Sequence, residues 1–251
     1  MTGATMVGAG GGEVIGDSPE RRVEILCEHD PLHATVSRFG PGRDGADLHV
    51  HRSHSDVFYV LEGELTVRLG AQDRQVALPA GTLALVPPPV VHGFRNASDA
   101  DVRYLNFHAP GSGFAAYMRG LREGRSVGFD QHDPPQDGGR PVSEASIGAA
   151  EELAGGRRLL ADTEEIAIAE LSATQAEHVH ARHVEAFYVL EGTLELMLAG
   201  EAVRAEQGAW VTVPAGVRHA VGGEARYLDV HAPNAGFAAH LRGDATAFDQ
   251  E

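Results

Sequence analysis

His178-Val-His180, followed by Glu185 and an apolar run closed by Gly192, is the stretch of this chain best equipped for chemistry. In an extended segment residues i and i+2 point to the same side, so His178 and His180 project together. Two imidazoles and a carboxylate supply three donors of a transition-metal site, and the fourth has to come from elsewhere in the fold. A near-copy stands upstream, where His49, His51 and Asp56 precede Gly63. No Gly-rich phosphate loop, nucleophile elbow or paired-cysteine metal site accompanies either copy.

The 251 residues carry 36 acidic side chains against 20 Lys and Arg, a formal charge of −16. Such a chain should repel nucleic-acid phosphates and anionic membrane surfaces. Cys27 is the lone cysteine, so no intrachain disulfide can form. No apolar run approaches the roughly 18 residues of a membrane-spanning helix. The start lacks the basic region of a signal peptide, and a cytoplasmic location is expected by default.

The elements that must position these donors are short. With 31 Gly and 13 Pro between brief alternating runs such as residues 21–26, 33–39, 64–69 and 102–108, the pattern is that of an all-β chain. Phe114, Tyr117, Met118 and Leu121 have helical spacing and predict a short amphipathic helix. Phe58 to Gly63 recurs letter for letter at Phe187 to Gly192, His108-Ala-Pro at His231-Ala-Pro, and Phe129-Asp-Gln at Phe248-Asp-Gln. Gly-rich composition predicts a flexible tail over 1–18, turn residues predict a linker over 132–145, and the repeat predicts one domain over 19–131 and a second over 146–251.

At this point the chain resembles the cupin family, whose motifs read G-x5-H-x-H-x(3,4)-E-x6-G and G-x5-P-x-G-x2-H-x3-N. His178, His180, Glu185 and Gly192 fit the first motif, with Ser172 at its leading glycine. Gly208, Pro214, Gly216 and His219 fit the second, with Gly223 in place of its asparagine. In the first half His49, His51 and Gly63 fit, and Asp56 replaces the glutamate. Gly81, Pro87, His92 and Asn96 fit the second motif there, with Pro89 in place of its glycine.

The resemblance implies a bicupin of the quercetinase-like type: two tandem jelly-roll (double-stranded β-helix) barrels, each ending in a short helix. It implies a divalent transition metal (Fe, Mn, Ni, Co, Cu or Zn) in each barrel. The ligands would be His178, His180, Glu185 and His219 in the second barrel, and His49, His51, Asp56 and His92 in the first. Because Asp56 is a methylene short and Pro89 alters the turn before His92, the second barrel has the more regular metal site and is the one expected to act. The implied activity is that of a dioxygenase-type oxidoreductase acting on a small organic molecule, with a non-catalytic metal-containing small-molecule binding or sensor protein, an isomerase or a decarboxylase as alternatives on the same scaffold. Glu185 is the candidate proton acceptor, and His231, with its counterpart His108, a candidate supporting or acid–base group. His54 and His183 are either solvated loop histidines or proton-handling groups at a barrel mouth. The face bearing Tyr104, Asn106 and His108, like that bearing Tyr227, Asp229 and His231, either lines a cavity or is wet. The two barrels are expected to pair as an intramolecular pseudo-dimer, with a homodimer left open.

Overall fold

The computed structural model describes residues 3–244 and 248–251. It divides into two compact units, Glu13–Ala149 and Met1–Gly12 with Ala150–Glu251.

In the unit Glu13–Ala149 an antiparallel seven-stranded sheet runs in the order Ser146–Ile147, Leu83–Val86, Ser55–Glu62, Val102–Ala109, Leu32–Phe39, Arg21–His29, Glu13–Ser18. A second sheet orders Arg74–Pro79, Glu64–Leu69 and His92–Arg95. One apolar cluster draws Phe39, Phe58 and Val60 from the first sheet and Leu65, Val67 and Leu78 from the second. The two sheets therefore close around a shared interior, as a jelly roll does. Along Ser55–Glu62 the alternation of a strand sends Phe58 and Val60 into that core and Asp56 to its end. The helix Phe114–Glu123 seals the cluster with Ala115 and Met118, and Gly124 caps it at φ 66°.

The other unit repeats this plan in one sheet, ordered Thr5–Val7, Trp210–Val213, Val184–Leu198, His219–Ala232, Ala167–Leu171, Arg158–Asp162, Glu151–Glu152. Here Val184–Leu198 continues through the corner that the first barrel breaks at Gly63. Gly192 makes that corner at φ 77°, and a Cβ there would collide with the carbonyl of Glu224. Gly63, at φ 74°, has the same relation to the carbonyl of Asp101. The repeated Glu-Gly pair thus marks where a strand passes from one side of the barrel to the other. The second helix is Phe237–Leu241.

Two expectations are corrected. Within the flexible tail expected over 1–18, Thr5–Val7 instead pairs with Trp210–Val213, and Glu13–Ser18 pairs with Arg21–His29. Gly-rich composition suggested otherwise, but an edge strand gains its order from backbone hydrogen bonds to a neighbour, and Ile15 is buried in the core. Met1 and Thr2 lie outside the described residues. The stretch 132–145 does not simply link two halves either. His132 bridges Val50, Gly139 and Arg140 bridge Val90, and Val142 packs on the first core. No helix of the described residues is long and apolar enough to cross a membrane.

Candidate metal centres

His49 and His51 stand just before Ser55–Glu62, and the backbones of His49 and His92 exchange two hydrogen bonds, at 2.8 and 2.9 Å. Each imidazole is oriented by a carbonyl: His49 Nδ1–H donates to Asp47 at 2.7 Å, His51 to Asp130 at 2.5 Å and His92 to Val90 at 2.9 Å. Because a carbonyl can only accept, every Nδ1 carries a proton, and Nε2 is the nitrogen left to offer a lone pair inward to a metal ion. His49 Nε2 and His51 Nε2 lie 3.3 Å apart, and Asp56 Oδ2 is 3.3 Å from His92 Nε2 and 3.6 Å from His51 Nε2. All four donor atoms fall within 4.8 Å of one another, and all four side chains are buried.

The electrostatics suit a cation. Burial, with His92 and His51 beside it, holds His49 neutral by lowering its pKa to about 3. Burial alone would raise Asp56, but His108 and the bonds from His51 and His92 push it well below the usual carboxylate range. Three buried imidazoles with Nε2 turned inward around one carboxylate fit a first-row transition ion. Asn106 donates to Asp56 Oδ1 and fixes the second carboxylate oxygen.

The second barrel repeats the arrangement. His178 Nδ1–H donates to Ala176 at 2.7 Å, His180 to Asp249 at 2.5 Å and His219 to Val217 at 2.9 Å. Glu185 Oε2 stands 3.6, 3.0 and 2.5 Å from the Nε2 atoms of His178, His180 and His219. Burial opposes the charge of Glu185, yet His231 and the three imidazoles hold its pKa far below normal. The Glu185 carboxylate raises the pKa of His219 against the effect of burial.

The structure therefore brings together both predicted quartets. Asp56 reaches the first cluster despite its shorter side chain. Pro89 does not displace His92, which meets Val90 as His219 meets Val217. His108 lies across the strand pair from Asp56, and His231 from Glu185. His231 Nε2 is 3.6 Å from Glu185 Oε1 and 3.0 Å from Asp229 Oδ1. Burial and the facing Glu185 carboxylate raise the pKa of Asp229. The faces bearing Asn106 and His108, or Asp229 and His231, thus look into the barrels and are not wet.

His54 and His183 are not solvated loop residues; both are buried. His54 stacks on His51 with ring centroids 4.0 Å apart. Burial lowers His54 to about 4 and His183 to about 3. Their partners were missed. Asp130 Oδ2 accepts from His54 Nδ1 at 3.1 Å, and Asp249 Oδ2 from His183 Nδ1 at 3.0 Å. The signal was present in the repeated Phe-Asp-Gln triplets at 129–131 and 248–250, read only as a mark of the repeat.

A cavity of about 220 Å³ reaches the first centre. His49, His51, Asp56 and His108 form part of its wall, with Tyr117 and Phe129 beside them. Arg21 and Arg43 also line it, and the Nε of Arg21 is buried without a hydrogen-bond partner.

A family model for the cupin domain matches residues 35–108 and 166–231. Quercetin 2,3-dioxygenase of Bacillus subtilis (strain 168) is 34% identical over 88 residues, which cover 35% of this chain and 26% of that protein. The match thus spans about a quarter of the relative's length. Among solved structures, protein Ylba from E. coli superposes with a TM-score of 0.68 at 15% identity, over 93% of this chain and 92% of its own. A salicylate 1,2-dioxygenase from Pseudaminobacter salicylatoxidans does so with a TM-score of 0.64 at 16% identity, over 96% and 87%. At such identities these structures speak for the fold, and the two cupin-domain matches together span more than half of the sequence. The chain belongs to the cupin family and carries the cupin domain twice.

Proposed function

We propose that this protein is a metal-dependent oxidoreductase of the dioxygenase type, and that it acts on a small organic anion in its first barrel. One observation carries the reading: the cavity that holds Arg21 and Arg43 on its wall also includes His49, His51 and Asp56. The sequence pointed to the second barrel because its motif is more regular. Turnover also needs room for a substrate beside the ligands, and the first barrel has it. Likeness to quercetin 2,3-dioxygenase supports the class of reaction.

His49, His51, His92 and Asp56 would hold the ion, and when bound it would supply Lewis-acid and electron-transfer chemistry to oxygen atoms of the substrate. Asn106 keeps Asp56 in one rotamer by donating to its outer oxygen. His108 lines the cavity with its Nε2–H held by the Asn106 amide oxygen at 3.1 Å, which leaves Nδ1 as the nitrogen that can take a proton from a bound hydroxyl. Arg21 and Arg43 bring guanidinium charge to the wall for an anionic group, and the rings of Tyr117 and Phe129 exclude water from the same space.

Oxygen uptake by metal-loaded protein against flavonols, catechols, diketones and aromatic carboxylates tests the reading. Turnover of one class that is lost in His49→Ala and retained in His178→Ala supports it. Silence across the panel while one of these compounds still binds would make the protein a metal-containing binder. Turnover lost in His178→Ala alone would return the chemistry to the second barrel and to Glu185 and His231.

A further inference from the structure

The two barrels differ beside their carboxylate ligands. Asn106 in the first and Asp229 in the second occupy matching positions, two residues before His108 and His231 and opposite Phe58 and Phe187. Asn106 brings an N–H donor to Asp56. Asp229 brings another acceptor to Glu185.

The neighbouring histidines make the arrangement stricter. Asp249 accepts from His183 Nδ1–H, which leaves a lone pair on His183 Nε2. That lone pair accepts Nδ1–H of His231 at 2.9 Å, so in the neutral ring His231 Nε2 is in turn an acceptor. It faces Asp229 Oδ1 at 3.0 Å and Glu185 Oε1 at 3.6 Å. None of these three buried atoms has a hydrogen-bond donor. Asp229 Oδ2 is already occupied by Gln175 Nε2 at 2.7 Å. Three converging acceptors in a water-excluded interior need a positive charge between them. A single proton placed between Asp229 and His231 would still leave Glu185 Oε1 unpaired.

We propose that the second barrel holds two cations, the second bound by Glu185 Oε1, Asp229 Oδ1 and His231 Nε2, with Glu185 bridging to the ion on His178, His180 and His219. Separations of 3.0 and 3.6 Å correspond to angles of about 90–120° at an ion with bonds of about 2.1 Å. Carboxylate-bridged ion pairs sit about 3.5–4 Å apart, a span that the two oxygens of one carboxylate provide. The donors, one imidazole and two carboxylates, suit a divalent ion such as Mn²⁺ or Zn²⁺. The first barrel cannot copy this site, because the amide of Asn106 already faces Asp56.

The test is metal stoichiometry on the whole chain loaded with Mn²⁺, read by elemental analysis and by electron paramagnetic resonance. Wild type should hold three ions per chain and show a spin-coupled pair. Asp229→Asn, which installs the first barrel's amide, should hold two and lose the coupled signal. His231→Gln should do the same, and it provides a second route if one variant fails to fold. Two ions per chain without coupling in wild type, unchanged in both variants, would overturn the second cation while leaving the proposed function standing. No ion in either barrel would remove both.

Discussion

The backbone carbonyl of Asp130 accepts the Nδ1–H of His51 at 2.5 Å, so a residue beyond the first helix decides which nitrogen of a metal-site histidine faces inward. The side chain of Asp130 reinforces that grip. It accepts from the amides of Arg52 and Ser53, from the Ser53 hydroxyl, from His54 and from His132. Asp249 stands in the same relation to His180, Arg182 and His183.

Removing the side chain at this hub should cost both stability and metal. Burial would raise the pKa of Asp130, but the bonds from Ser53 and Arg52 hold it ionised, so its hydrogen bonds are charge-assisted. Asp130→Ala should lose roughly 2–4 kcal/mol of stability and bind metal about 10–100-fold more weakly in the first barrel. Calorimetry and metal titration read the two effects. Unchanged affinity in a folded variant would show that the loop carrying His51 does not depend on Asp130.

Much of the site was legible because cupin spacing is local. His49 with His51, and His178 with His180, sit two residues apart, and each carboxylate follows within a short turn. The family's second motif then named His92 and His219 as the partners. Asp130 and Asp249 were not legible as supports, since an aspartate far along the chain carries no local sign of what its carbonyl will meet. The difference between Asn106 and Asp229 was visible in the sequence, but its consequence depends on the tautomer chain through His183 and His231. The N-terminal strands were misjudged for a similar reason. Edge strands are ordered by partners that composition does not reveal.

Gly192 makes the corner of the second barrel, where positive φ and the nearby Glu224 carbonyl both exclude a side chain. Gly192→Ala should therefore destabilise by about 1–3 kcal/mol from backbone strain, with the collision adding to it. Gly216→Ala has positive φ but nothing near its Cβ, so it reports strain alone. Denaturant unfolding of the pair separates the two costs; equal losses would rule out the steric part.

Arg21 supplies the test of substrate charge. A charge-assisted hydrogen bond to a bound anion is worth about 1.5–3 kcal/mol, which is about 10- to 150-fold in affinity. Arg21→Met should raise KM by that range for an anionic substrate. Arg21→Lys should recover part of it, since the charge remains and the fork geometry does not. A KM that is insensitive to both variants would place the anion elsewhere.

The buried histidines predict how metal-free protein responds to acid. His54 and His183 are held neutral in the fold, with pKa values of about 4 and about 3 against about 6.5 in an unfolded chain. Between those values the unfolded state binds protons that the native state refuses, so stability rises with pH and is lost as pH falls. His219, whose pKa is raised, acts in the opposite sense, favouring the fold below about pH 6.5. It is one group against His49, His54 and His183, all of which are depressed. Thermal unfolding of chelator-treated protein should show a Tm nearly constant above about pH 7, falling steeply between about pH 6.5 and 4. His54→Leu should have a lower Tm at pH 7, because the bond to Asp130 is gone, and a shallower acid slope, because one titrating group is gone. A Tm that stays flat down to pH 4.5, or a His54→Leu variant with an unchanged slope, would mean that these histidines accept protons inside the folded barrel.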